Sequence, residues 1–132
     1  MTAFKESLPY RFVQIANTPL EPNLGKLKAR AHRHRTFVTH GTFSGLDRIV
    51  AKFNAQKEIL VALGDLGYRG SPTEIAVSFL ADYAFATNSA GITLVSMFKK
   101  EHLDFNLLRL KNHPTPERLD AIAAALAIGV KD

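Results

Sequence analysis

The 132-residue sequence contains no cysteine, which excludes disulfides, thiolate metal sites, iron–sulfur clusters and a cysteine nucleophile. It also has no long hydrophobic run, since the longest, residues 121–128, is too short and too alanine-rich to span a bilayer. No apolar core follows Lys5, so the start of the chain predicts no secretion signal. Hydrophobic residues make up 46% of the chain and charged residues 22%, which is typical of globular proteins. We therefore expect one soluble, cytoplasmic domain over residues 1–132.

Acidic residues are absent between Glu21 and Asp47. Five basic residues lie in this interval and form what we call the basic segment: Lys26, Lys28, Arg30, Arg33 and Arg35. The other 12 of the 17 basic residues balance 12 acidic ones, so the basic segment sets the formal charge of +5. Such a segment can bind phosphate on a nucleic acid or a cofactor. It can equally be a solvated helix face, and the sequence leaves both interpretations open.

Apolar alternation predicts three strands and helical spacing predicts five helices. The predicted strands are residues 10–16, 36–40 and 92–97. The predicted helices are residues 24–34, 46–63, 71–85, 99–110 and 116–128. Strands that alternate with helices favour parallel crossover connections, and hence the α/β class.

Three local features sharpen these helix predictions. Asn23 is a candidate cap for the first helix. Residues 71–74 (Ser-Pro-Thr-Glu) are typical of a capped helix start, in which the hydroxyl and the carboxylate satisfy each other's backbone N–H groups. In residues 99–110, three leucines at helical spacing are expected to face the core, namely Leu103, Leu107 and Leu110.

Short motifs argue against several kinds of catalytic site. His32 and His34 are two residues apart on a predicted helix, point in opposite directions and cannot hold one metal ion, so no metal site is predicted. Residues 41–45 (Gly-Thr-Phe-Ser-Gly) place the serine fourth rather than third, which does not fit a nucleophile elbow. The glycines of residues 64–70 follow a helix rather than a strand, so they are not a dinucleotide fingerprint.

Four segments carry a family resemblance. They are residues 12–20 (Phe-Val-Gln-Ile-Ala-Asn-Thr-Pro-Leu), 36–46 (Thr-Phe-Val-Thr-His-Gly-Thr-Phe-Ser-Gly-Leu), 71–80 (Ser-Pro-Thr-Glu-Ile-Ala-Val-Ser-Phe-Leu) and 92–107 (Ile-Thr-Leu-Val-Ser-Met-Phe-Lys-Lys-Glu-His-Leu-Asp-Phe-Asn-Leu). In this order they resemble the sixth strand, the seventh strand with its loop, a following helix, and the eighth strand with its helix in the aldo-keto reductases. The resemblance covers about residues 10–110.

The resemblance implies a partial (β/α) barrel with about three parallel strands and four to five helices. This corresponds to the C-terminal part of an aldo-keto reductase TIM barrel. The family's catalytic tyrosine, lysine, aspartate and histidine lie on earlier strands and match nothing in this sequence. The resemblance therefore implies an oxidoreductase-like protein with no catalytic residues of its own. We expect no reductase activity from the chain alone, because no general acid is in place to protonate a carbonyl oxygen.

The same resemblance assigns five cofactor-binding positions, namely Gln14, His40, Ser96, His102 and Asn106. Gln14 matches the family glutamine that hydrogen-bonds the nicotinamide carboxamide, and His40 falls where an aromatic residue often stacks on the nicotinamide ring. Asn106 matches its family counterpart, whereas Ser96 and His102 replace the usual lysine and arginine. Losing those two cations removes charge-assisted contacts to a 2′-phosphate. The resemblance thus implies NADP as cofactor, bound at most weakly.

Three parallel strands cannot close a barrel, so one apolar sheet face and two sheet edges are expected to need a cover. Either the chain's own extra helices, such as residues 116–128, fold over the sheet or another chain covers it, and we expect a homodimer or a partner chain. A separately encoded N-terminal half would be one such partner, and would restore an active reductase. The alternative function is a small basic module that contacts nucleic acid or an acidic protein through the basic segment.

Overall fold

A computed structural model of the chain describes residues 11–29 and 35–127. Within these residues, strands alternate with helices around one parallel sheet, which confirms the predicted α/β class. The strands are β1 (Phe12–Ala16), β2 (Thr36–His40) and β3 (Ile92–Thr93). The helices are α1 (Asn23–Lys28), α2 (Leu46–Ala55), α3 (Lys57–Asp65), α4 (Pro72–Thr87), α5 (Lys100–Asn112) and α6 (Pro116–Ala127).

The sheet has the order β1-β2-β3 and two unlike faces. In the parallel register Val13 lies beside Phe37, and Thr39 lies beside Thr93, so these residues share one face. This face packs on α4, where the Thr93 hydroxyl reaches the carbonyl of Ala84 at 3.5 Å. The opposite face carries exposed residues, which are Phe12, Gln14, Ile92 and, by alternation beyond β3, Leu94. We call it the open face, as expected for a three-stranded sheet.

Helix α4 is the centre of the core because it contacts α2, α5 and α6. Its start has the predicted capping box, in which the Glu74 N–H donates to Ser71 Oγ at 3.3 Å and the Ser71 N–H donates to Glu74 Oε2 at 2.7 Å. The ring of Phe79 is fully buried, and its centre lies 6.2–6.4 Å from the ring centres of Phe53, Tyr68 and Tyr83. The buried apolar core therefore lies among the helices.

A buried amide ties the end of α4 to the sheet. Asn88 Nδ2 donates to the carbonyls of Phe37 and Ile92 and to the Thr39 hydroxyl, at 3.0–3.2 Å. A Cβ at Gly91 would overlap both this amide and the Phe37 carbonyl, so only glycine fits there. This network fixes where β3 begins beside β2.

The single helix predicted over residues 46–63 is wrong, since α2 and α3 are separate helices that meet at Gln56. Gln56 has non-helical backbone angles (φ −125°, ψ 81°). On one continuous helix Phe53 and Ile59 would point about 120° apart, because they are six residues apart. The break lets both side chains reach the same core, where each is buried. Because of this break, the described residues form six helices rather than the five predicted.

Two predicted boundaries also differ from the structure. The third strand is paired only over Ile92–Thr93, although residues 92–97 were predicted as strand. Pro22, rather than Asn23, is the cap residue of α1, and the Asn23 side chain donates instead to the carbonyl of Ala16 at 3.1 Å. Residue 10 of the first strand, residues 30–34 of the first helix and residue 128 of the last helix lie outside the described residues.

The predicted inward face of α5 is wrong. Leu103, Leu107 and Leu110 are exposed, whereas Asn106 is buried and Arg109 is half-buried. The physical reason is that α5 packs on α4 through its polar side, where Arg109 meets the buried carboxylate of Asp82. No strand or helix of the described chain covers the leucine side.

Candidate nucleotide site

A cavity of about 760 Å³ lies where the strands β2 and β3 end. Its walls come from the loop after β2, the first residue of α2, one residue of α4, the segment after β3 and the first turns of α5. The lining residues are Gly41, Thr42, Phe43, Ser44, Leu46, Val77, Leu94, Ser96, Phe98, His102, Phe105 and Asn106. The carboxyl ends of parallel strands are the usual place for ligands in α/β proteins, and the volume suits a small molecule.

The loop after β2 is a tight turn held against the neighbouring segment. The Ser44 N–H donates to the Gly41 carbonyl at 2.8 Å, and Gly41 has a φ of +75°, a value that favours glycine. The buried Thr42 hydroxyl reaches the carbonyl of Leu94 at 3.5 Å. These contacts leave Phe43 and Ser44 lining the cavity.

Three of the five predicted cofactor-binding residues line this cavity. Ser96 and His102 are exposed at its wall, while Asn106 is only 6% exposed. The Oδ1 atom of Asn106 is buried and has no hydrogen-bond partner. A buried acceptor without a partner is rare in folded proteins, and here it belongs to a residue that lines a cavity.

The other two predicted residues lie elsewhere. Gln14 is exposed on β1, and His40 is half-buried at the end of β2. Gln14 is in register with Val38, two residues before His40, so both residues belong to the open face. Neither residue lines the cavity. The structure therefore brings Ser96, His102 and Asn106 to one cavity, and Gln14 and His40 lie outside its lining.

The basic segment is described in part. Lys26 and Lys28 are exposed at the last turn of α1, and Lys28 Nζ donates to the carbonyl of Thr87 at 2.9 Å. Arg35 is half-buried before β2. Arg30 and Arg33 lie outside the described residues. None of the residues that line the cavity belongs to the basic segment.

A buried charge cluster was missed by sequence reasoning. The fully buried Asp82 Oδ2 accepts from the Tyr68 hydroxyl at 2.5 Å and from Arg109 Nη1 at 3.2 Å. Burial raises the pKa of Asp82 even though Tyr68 and Arg109 both lower it. Burial also raises the pKa of Tyr68, and the hydrogen bond to Asp82 adds to this shift. The available signal was the single carboxylate inside the apolar run of α4, which must find a donor when it is buried.

The fold and the cavity define a small α/β protein with a three-stranded parallel sheet and a ligand-sized cavity at the carboxyl ends of its strands. Comparison with protein-family models, curated proteins and solved structures found no match. Along residues 11–29 and 35–127, no helix is long and apolar enough to cross a membrane. The same residues contain no group of three histidine, aspartate or glutamate side chains placed to hold a metal ion.

Proposed function

We propose that this chain is an aldo-keto-reductase-like partial barrel that binds the adenosine end of a nicotinamide dinucleotide in the cavity. The observation that carries this proposal is Asn106, which lines the cavity and whose buried Oδ1 has no hydrogen-bond partner. Leaving such an acceptor unpaired costs about 1–3 kcal/mol, which a ligand N–H would recover once rotation of the amide turns Oδ1 towards the cavity. Asparagine pairs well with adenine, because its amide matches the N6 donor and N7 acceptor of that base.

The rest of the lining suits the same ligand. Phe43, Phe98 and Phe105 supply aromatic surface on which a base can stack. Ser44 and Ser96 supply hydroxyls within the same cavity for a ribose or a phosphate oxygen. The site thus combines apolar walls with a few polar groups, as small-molecule sites usually do.

The nicotinamide end would have little enclosure in this proposal. Gln14 and His40 lie on the open face and outside the cavity. No described element covers this face, which would point inward in a closed barrel. We therefore expect a binding free energy of about 5–6 kcal/mol for NADH, which corresponds to a Kd of roughly 100 μM. We expect no reductase activity from the chain alone, because the resemblance assigns no catalytic residue to it.

The cavity also bears on the choice between NADH and NADPH. No lysine or arginine is among its lining residues, and Lys100 is instead paired with Asp104 at 2.6 Å. A 2′-phosphate needs a cation to replace its hydration. NADPH is therefore expected to bind no more tightly than NADH, although the resemblance to the family implies NADP.

Replacing Asn106 by leucine is expected to weaken NADH and AMP binding about tenfold. The variant keeps the cavity volume but removes the hydrogen-bond acceptor, and one such bond in a buried site contributes about 1–1.5 kcal/mol. Isothermal titration calorimetry with AMP, NADH and NADPH measures this change. The matched control is Asn112→Leu on the exposed end of the same helix, which should leave all three affinities unchanged.

Two outcomes of this titration would overturn the proposal. One is no binding of AMP or NADH at millimolar concentration, and the other is equal binding by the Asn106→Leu variant. A short DNA duplex is titrated in parallel for the alternative, a basic module. Duplex binding that falls steeply with salt and is lost in Lys26→Glu/Lys28→Glu would support that module, because such binding rests on counterion release.

A further inference from the structure

Helix α5 carries an apolar stripe of leucines that no described strand or helix covers and that does not line the nucleotide cavity. Leu103, Leu107 and Leu110 are 41%, 46% and 50% exposed. Their spacing of four and then three residues places them on one side of the helix. At the start of the helix the stripe adjoins a surface groove of about 330 Å³, which Leu103 lines together with Met97 and Phe98, and Phe98 also lines the nucleotide cavity.

The stripe is unusual because α5 has its polar side towards the core. Asn106 and Arg109 face α4, and the leucines face away from it. A helix that only packed on its own core would be expected to turn the other way, with its apolar side inward. A contiguous exposed apolar patch of this kind marks an interaction surface.

We infer that this stripe is the contact surface for a second copy of the chain, with the two α5 helices packed antiparallel across a two-fold axis near Leu107. Leu103 and Leu110 are four and three residues from Leu107. In that arrangement each Leu103 faces Leu110 of the second copy, and the two Leu107 side chains meet at the axis. The stripe is thus complementary to itself, as an isologous interface requires.

The charges beside the stripe favour the same arrangement. Asp104 and Lys111 lie on one flank of it, two helical turns apart, and both are exposed. Asp104 also pairs with Lys100 on its own helix, and this exposed pair leaves its second carboxylate oxygen available. Antiparallel packing about Leu107 brings Asp104 of each copy near Lys111 of the other. Parallel packing would instead place the two charged flanks on opposite sides of the interface, so these ion pairs could not form.

The test is the molar mass of the purified full chain by light scattering and sedimentation, over a dilution from 200 to 1 μM. We expect twice the chain mass of 14.6 kDa at the high end. Leu107→Glu places two carboxylates together at the axis and should raise the dimer Kd at least 100-fold. Leu108→Glu is the matched control, because Leu108 is 59% exposed but lies about 100° around the helix, and it should stay dimeric.

A charge exchange tests the antiparallel direction. Lys111→Asp should weaken the dimer several-fold, because it sets two aspartates beside each other. The double variant Asp104→Lys/Lys111→Asp should restore the affinity. A monomeric wild type at 200 μM, or equal dissociation by Leu107→Glu and Leu108→Glu, would overturn the inference. Failure of the double variant to recover would overturn the antiparallel arrangement, and circular dichroism confirms that each variant is folded.

Discussion

The variant Arg109→Met is expected to lose about 2–4 kcal/mol of unfolding free energy at pH 7. Arg109 donates to the fully buried carboxylate of Asp82, and its guanidinium lies 5.7 Å from the ring centre of Tyr68. Methionine keeps much of the apolar packing but leaves a buried carboxylate without its cation, which is the costly way to break such a pair. Because the Arg109 side chain is itself 30% exposed, the loss should fall below that for a wholly buried pair.

The pH dependence of this loss identifies its cause. The pKa of Asp82 is raised above its ordinary value of 3.8, so folding favours the protonated acid. Its contribution to stability is therefore most favourable at low pH and declines as pH rises through the raised pKa. Removing Arg109 raises that pKa further, so the difference between wild type and Arg109→Met should be small near pH 4 and largest at pH 7.

Urea unfolding of the wild type and of Arg109→Met at pH 4 and pH 7 measures the loss of unfolding free energy at each pH. The control is Arg118→Met. Arg118 is exposed on α6, so this substitution should change the unfolding free energy by less than about 0.5 kcal/mol. In the double variant Asp82→Asn/Arg109→Met the buried charge is gone, so we expect stability above that of Arg109→Met. A loss of equal size at both pH values would instead assign the effect of Arg109 to packing.

The variant Phe79→Ala is expected to lose about 3–5 kcal/mol, the largest effect of any single substitution considered. Phe79 is fully buried, and its ring lies at the centre of three aromatic neighbours from α2, α4 and the loop after α3. Truncation removes the free energy gained by burying the ring. It also leaves a cavity, which the rigid neighbouring rings cannot close by relaxing into it. The total unfolding free energy of a small domain is about 5–15 kcal/mol, so the variant should be partly unfolded at 37 °C.

Chemical denaturation at 25 °C measures this loss, with Val61→Ala as the matched control. Val61 lies on α3 and is 65% exposed, so its truncation should change stability by less than about 0.5 kcal/mol. A loss below 1 kcal/mol for Phe79→Ala would mean that the core around α4 is not close-packed.

Sequence reasoning reached the features that depend on near neighbours along the chain. The capping box of Ser71 and Glu74 is an example, because both partners lie within one helical turn. The strand over Thr36–His40 is another, since period-two alternation and a following glycine turn are local signals. The class of the fold followed from the alternation of such elements.

The candidate site was predictable only in part. Ser96, His102 and Asn106 were chosen from the family resemblance, and they do line one cavity. Phe98 was not chosen, because an exposed aromatic after a strand carries no local signal of a cavity. The unpartnered state of Asn106 could not be predicted at all, since it depends on which donors the neighbouring elements bring within reach.

By itself, the sequence determined the class of the fold, the start of α4 and the absence of thiol chemistry, because these follow from residue type and spacing within a few positions. Only the tertiary structure decided the break at Gln56, the short β3 and the outward turn of the α5 leucines. Periodicity shows that a helix has an apolar side, but the burial of that side requires another element to pack on it. For α5 the described chain provides no such element, and Asp82 draws Arg109 inward instead.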